Sequence, residues 1–375
     1  MLLDTTLREG AQAVGVQFPK ELQVRILRDV VRAGIEMVEI GWVGKDGIED
    51  LAAAAQRHGL ASRCAIWAPC RPEILDTVAK LGLHAVHVGI PVSPQHLARR
   101  LKISVTEALQ RLVATIDTAR SLGLTIRVGL EDASSAPLHA IEPFLRTAER
   151  AGAHGVRLAD TRGIWTPQTC AETVRWAQSI TRLPVGVHCH DDFGMATANA
   201  LCALDAGGHW ADVSLLGLGE RAGISALEEV AGYLTLIRAS RKDDMRSLRQ
   251  LCHEVAHSTG LSLDPRKAIA GKHIFTSESG LHVDGLLKDP GLFEPCPPER
   301  LGMQRHLLWG AKSGRGAVVQ LLSRHGLLGQ GVDVEQVLAH VRKHGAQQPL
   351  EAEEVLHLAQ QLLNTPKAAP LPTTN

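Results

Sequence analysis

The sequence predicts a (β/α)8 barrel joined to a smaller, mainly helical C-terminal region. Eight short β-rich runs alternate with longer amphipathic stretches over the first 240 residues, and such alternation implies parallel strands joined by helices. Eight units in that length suit a barrel, which takes roughly 250 residues. Polar and ionisable residues also gather at or near the C-terminal ends of the runs: Arg8 and Glu9, His87, Glu131 and Asp132, Asp160 and Thr161, His188 and His190, Glu220 and Arg221. Barrels build their sites on that face. A doubly wound open sheet is the competing architecture, but no G-x-G-x-x-G turn follows the first run.

The runs are LLDTTLR (2–8), MVEIG (37–41), RCAIWA (63–68), AVHVGI (85–90), TIRVGLE (125–131), GVRLAD (155–160), VGVHCH (185–190) and ADVSLLGLG (211–219). Between them lie helical patterns such as KELQVRILRDVVRAG (20–34) and TPQTCAETVRWAQSI (166–180), the second opened by a Thr-Pro start. Beyond residue 240 helices and glycine-punctuated loops follow, as in GKHIFTSESGLHVDG and GAKSGRGAVV. The predicted division is a catalytic barrel over 1–240, a subdomain over 241–325, and a helical region over 326–375 whose end, TPKAAPLPTTN, reads as disordered.

Composition narrows the function classes. Forty basic and forty acidic side chains balance, so no net field draws a nucleic acid or an anionic membrane. No apolar run reaches the roughly 20 residues that span a bilayer, and MLLDTTLREG has an acid at position 4, unlike a secretory signal. Seven scattered cysteines without a C-x-x-C pair fit reduced thiols in a cytoplasm.

GVHCHDD (186–192) holds the densest chemistry. In a strand, residues i and i+2 share a face, so His188 and His190 project together while Cys189 points away. Two imidazoles in a barrel mouth are half a metal site, and a carboxylate from another strand end would complete it. Asp4, Glu9, Asp191 and Asp192 are the available carboxylates; the bland alternative is an incidental H-x-H pair. Arg127, Gly129 and Glu131 share a face of the fifth run. An arginine pointing into a barrel needs an anion, either Glu131 or Asp160 in a structural ion pair or the carboxylate of a substrate. GLGERAG (217–223) can cradle a phosphate or simply turn the chain.

Five motifs in order, DTTLREGAQ, ADTRGIWTP, HCHDDFGMATANAL, GLGERAG and FTSESGLHVDGLL, resemble the homocitrate synthase and 2-isopropylmalate synthase family of barrel acyltransferases. LEDAS, IPVS and HVDGLLK look most like the homocitrate synthases of nitrogen fixation, and the resemblance spans roughly residues 2 to 325. It implies condensation of acetyl-CoA, as co-substrate, with a 2-oxo acid, followed by thioester hydrolysis. It also implies a divalent metal (Mg2+, Mn2+ or Zn2+) on Glu9, His188 and His190, and Arg8 polarising the keto oxygen. Glu220 and His282 match the proton-transfer pair, the histidine coming from the second region of a partner subunit. Thr161 matches the hydroxyl that holds the 2-oxo acid carboxylate, Arg127 a carboxylate-binding arginine, and Gln12 a further substrate contact.

The expected assembly is a homodimer whose active site is completed in trans, with small-molecule substrates and neither nucleic acid nor membrane as partners. For 2-oxoglutarate, Arg71 or His87 would supply the cation for the second carboxylate. Phosphonopyruvate or oxaloacetate would fit the same features. A 2-isopropylmalate synthase would carry a longer C-terminal leucine-sensing domain, and an aldol lyase of the related fold a glycine-rich cysteine loop, which this sequence lacks. The chain also departs from the family pattern: Ala11 replaces Glu or Asn, and GAKSGRGA has neither of the usual histidines.

Overall fold

The computed structural model describes residues 1–364. Eight parallel strands close into a barrel in chain order. They are β1 Leu2–Asp4, β2 Met37–Trp42, β3 Cys64–Pro69, β4 Ala85–Pro91, β5 Thr125–Glu131, β6 Val156–Asp160, β7 Val185–Cys189 and β8 Trp210–Val213. Each precedes a helix: α1 Lys20–Ala33, α2 Ile48–Arg57, α3 Leu75–Lys80, α4 Val105–Ser121, α5 Leu138–Ala151, α6 Pro167–Ile180, α7 Ala196–Asp205 and α8 Leu227–Gly232. Local chemistry sets their ends. The Ser104 and Glu107 pair forms a capping box on α4, and the Thr166 side chain caps α6 ahead of Pro167, as the Thr-Pro start predicts.

The first and last strands are shorter than their runs suggest. After Asp4 the chain turns, because the Asp4 carboxylate accepts from Thr6 N at 3.2 Å and Thr6 Oγ1 at 2.7 Å. Thr5 O then receives the amides of Arg8 and Glu9 at 3.0 and 2.7 Å. Arg8 and Glu9 therefore project from a loop fixed to the strand end. After Val213 a short 3-10 turn over Leu215–Gly217 breaks β8, with Leu216 left-handed at φ 59°.

Inside the barrel, large and small residues alternate across neighbouring strands. Arg157 on β6 is in register with Gly129 on β5 and Gly186 on β7. A Cβ on Gly186 would collide with the Trp210 ring, which fills that space. The outward faces are apolar and buried under the helices, as with Val128, Leu158 and Val187.

Packing divides the chain at points other than the predicted ones. The first unit is Met1–Asp264 with Ala268–Ala270, and the second is Pro265–Lys267 with Gly271–Asn375. The helix after the barrel, α9 (Met245–Thr259), belongs to the first unit: it buries Leu248, Leu251 and Val255, and its Glu254 pairs with Arg25 of α1 at 2.7 Å. The boundary at 240 thus gives way to one near 264. The predicted division at 325/326 also disappears. Val283, Trp309, Val318 and Leu322 share one core with Val337, Val341 and Val355. That core joins α10 (Gly280–Lys288), α11 (Arg315–Arg324), α12 (Val334–His344) and α13 (Ala352–Asn364). The predicted disordered tail, 365–375, lies outside the described residues. No described helix is long and apolar enough to cross a membrane.

Candidate active site

The C-terminal mouth of the barrel encloses a cavity of about 500 Å³ lined by side chains that include Arg8, Glu9, Gln12, Thr161, His188, His190 and Glu220. Seven of the eleven residues singled out from the sequence therefore meet in one place, within the size range of small-ligand sites.

Glu9, His188 and His190 are buried, and each offers one ligand atom within 4.8 Å of the others. The Nε2 atom of His188 lies 3.8 Å from Glu9 Oε2, while its Nδ1 is 3.0 Å from Asp212 Oδ2. A carboxylate behind an imidazole fixes the ring and the tautomer, as it does behind metal-bound histidines. His190 Nδ1 is buried without a partner among the described residues. Burial, and then the neighbouring His188, pulls the pKa of His190 down to about 4, so this ring is neutral near neutral pH and free to ligate. Burial works to raise the pKa of Glu9, but Arg8 and the two histidines outweigh it and hold the carboxyl at about 2. An ionised carboxylate beside two imidazoles fits a divalent metal with open positions for substrate. The other candidate carboxylates are engaged elsewhere. Asp4 turns the chain at Thr6, Asp191 accepts from Ala196 N at 2.7 Å, and Asp192 pairs with Arg221 at 2.8 Å.

Arg8 is ion-paired to Glu9, and its Nε donates to Glu39 Oε2 at 2.6 Å. Glu39 anchors the floor of the site: its Oε1 is 2.6 Å from His87 Nδ1 and 3.0 Å from Arg157 Nη1. The same Nη1 is 2.5 Å from Asp212 Oδ2. Although burial opposes ionisation, Arg8, Arg157 and His87 hold the Glu39 carboxyl well below the usual range. One connected set of charges thus runs from Arg8 through Glu39 and Arg157 to Asp212 and His188. Sequence reading missed Glu39, Arg157 and Asp212, although a charged residue in a fully buried strand such as VEIG, VRLAD or WADV is itself a signal.

The glycines of GLGERAG turn the chain close over Glu9. A Cβ on Gly219 would lie 3.1 Å from Glu9 Cγ, and Gly217 and Gly223 are left-handed at φ 68° and 92°. This loop brings Glu220 N to 3.4 Å from Glu9 Oε1. Thr161 Oγ1 accepts from Asp132 N at 2.8 Å, leaving its own proton to donate into the cavity.

Three predicted substrate contacts fall outside the cavity lining. Arg127 sits low in the barrel, stacked on Trp210 at 4.6 Å from its ring centroid, with Nη1 3.5 Å from Met37 Sδ. It is the third residue of β5, two before the glycine that lines the mouth, so the strand's own rise carries it down, and neither Glu131 nor Asp160 pairs with it. Arg71 is exposed and lines a separate depression with Glu73, Thr77 and Glu107; the chain turns outward after Pro69, at the end of β3. His87 lies in mid-strand, buried against Glu39 beneath the mouth. The cationic groups lining the cavity are Arg8, Arg100 and Arg157, with Arg100 ion-paired to Glu131. His282 belongs to the second unit, exposed on α10 with its ring 4.3 Å from that of Phe293.

This barrel, with a Glu-His-His cluster and an arginine at its C-terminal mouth, falls in a known class. Residues 1–255 match the HMGL-like family model, and residues 269–349 match that of the homocitrate synthase post-HMGL domain. The chain is 36% identical over 366 residues to homocitrate synthase 1 of Nostoc sp., covering 96% of this chain and 97% of that one. It is 34% identical over 372 residues to 2-isopropylmalate synthase 2 of Caldanaerobacter subterraneus subsp. tengcongensis, covering 98% and 97%. The HMG-CoA lyase of Bacillus subtilis shares the fold, with a TM-score of 0.63 and 21% identity over 70% of this chain and 94% of that one. The chain belongs to the HMGL-like family, among the homocitrate and 2-isopropylmalate synthases.

Proposed function

We propose that the chain condenses acetyl-CoA with a 2-oxo acid in a Claisen-type reaction and hydrolyses the thioester, with 2-oxoglutarate as acceptor and homocitrate as product. The observation that carries this reading is the placement of Arg8 directly on Glu9, beside the His188 and His190 pair, in the mouth of the barrel. Glu9, His188 and His190 would hold a divalent ion, which would supply Lewis acidity for the condensation. Arg8, buried and locked by Glu39, offers guanidinium N–H groups where negative charge develops on the keto oxygen; held in place beforehand, they need no reorganisation during reaction. The Thr161 hydroxyl donates to the acceptor's carboxylate. Glu220 at the rim, with His282 supplied by a partner subunit in a homodimer, removes the proton from the acetyl methyl, a task that needs a base held close to that carbon.

The names of the two similar synthases differ in the acceptor they imply, so the tail of the 2-oxo acid is the open variable. Phosphonopyruvate, oxaloacetate, pyruvate and 2-oxoisovalerate are the competing acceptors. Arg8, Arg100 and Arg157 line the cavity with Glu9, Glu131 and Glu220, and an acid with an anionic tail is the acceptor proposed for the guanidinium N–H groups these carboxylates leave unpaired. Thiol release from acetyl-CoA on addition of 2-oxoglutarate, lost in Arg8→Ala, tests the reading.

A further inference from the structure

We propose that Arg157 determines acceptor specificity by binding an anionic group at the far end of the 2-oxo acid. The inference rests on the condensation reading and names the residue that selects its substrate class. Arg157 is buried, and its Nη1 carries both of its ion pairs, to Glu39 Oε1 and Asp212 Oδ2. Among the described residues nothing pairs with Nε or Nη2, the other edge of the guanidinium, and neither atom is fully enclosed. That edge packs over the bare Cα of Gly129, its in-register neighbour on β5. A Cβ built on Gly129 would lie 3.2 Å from Nη2 and 3.4 Å from Nε, and Gly129 and Arg157 both line the cavity.

A guanidinium edge with two parallel N–H groups matches a carboxylate in bidentate geometry. Glu39 sets the spacing, because its two oxygens hold Arg8 and Arg157 together. An acceptor whose keto group meets Arg8 therefore reaches Arg157 with a short tail. A branched apolar tail would cover the free edge without bonding to it, leaving polar hydrogens desolvated and unpaired. Arg157 is thereby assigned the selective role, in place of the exposed Arg71 and the low-lying Arg127.

Removing Arg157 would take one partner from each of Glu39 and Asp212, so the test pairs Arg157→Gln and Arg157→Lys with Gly129→Ala. The last variant puts a methyl against the free edge without removing either ion-pair partner. Thiol release is measured with 2-oxoglutarate and 2-oxoisovalerate, and binding of each acid is measured by calorimetry with Mg2+ present. The expected result is a fall of at least about tenfold in the 2-oxoglutarate to 2-oxoisovalerate ratio of kcat/KM in Gly129→Ala, carried by KM for 2-oxoglutarate, with Arg157→Lys less affected than Arg157→Gln. An unchanged ratio in Gly129→Ala overturns the assignment, as does failure of the wild type to bind 2-oxoglutarate. If the wild type binds 2-oxoglutarate but releases no thiol with any acid, the condensation reading fails. The same binding ratio, measured in Gly129→Ala, then decides the role of Arg157 by itself.

Discussion

His188 Nδ1 and Asp212 Oδ2 lie 3.0 Å apart, both buried, with His188 Nε2 facing Glu9. Asp212 thus orients the imidazole from behind and also receives Arg157 at 2.5 Å. The neighbouring strand β8 holds a candidate metal-binding side chain of the mouth in place.

This geometry predicts the metal behaviour. His188→Ala should lose divalent metal and nearly all turnover while its far-UV circular dichroism matches the wild type. Asp212→Asn should retain metal with affinity weakened about 10- to 100-fold, the usual effect of losing a partner behind a ligand. Full metal occupancy in His188→Ala would remove that residue from the ligand set.

Asp4 provides a pH prediction. Burial, only partly offset by the Thr6 hydrogen bonds, raises its pKa from 3.8 to about 7. A raised folded-state pKa means stability that is complete below the unfolded value and lost as pH climbs through the folded one, here between roughly pH 4 and 7. Carboxyl carbon NMR of the labelled protein should show one aspartate titrating near neutrality, absent in Asp4→Asn. Titration of every aspartate below pH 5 would contradict the burial argument.

The two arginines outside the cavity lining, Arg71 and Arg127, give a contrasting expectation. Arg71→Ala should leave acceptor kinetics within about twofold, since the residue is exposed and faces a different depression. Arg127→Met should lower the melting temperature through the lost stacking on Trp210, an interaction worth about 1–2 kcal/mol, with little change in KM. A large rise in KM for the acceptor in either variant would return that arginine to the substrate.

Assembly is tested by mixing. Inactive Arg8→Ala and His282→Ala subunits should regain activity once exchanged, because each mixed dimer holds one intact site. No recovery, with exchange confirmed by differential tagging, would place His282 within its own chain's chemistry or outside it altogether.

The barrel was legible because its strands are buried on both sides and read as continuous apolar runs punctuated by helices, and because His188 and His190 stand at a strand end with Glu9 in the motif of the first loop. The depth of a side chain within the barrel was not legible. Arg127, Gly129 and Glu131 alternate on one face, but the periodicity carries no height, and only Gly129 and Glu131 reach the mouth. Arg157 escaped notice for the related reason that its position between Gly129 and Gly186 depends on strand register, which a single sequence does not print. The boundary near 264 was hidden because α9 reads as an ordinary amphipathic helix whose docking on α1 is tertiary.

The most direct test of the central claim is thiol release from acetyl-CoA against a panel of 2-oxoglutarate, oxaloacetate, phosphonopyruvate, pyruvate and 2-oxoisovalerate, with and without chelator. The account predicts chelator-sensitive release that is fastest with an anionic-tailed acid, 2-oxoglutarate exceeding 2-oxoisovalerate by at least ~100-fold in kcat/KM. Faster turnover of 2-oxoisovalerate, or no release with any acid in the metal-loaded protein, would contradict it.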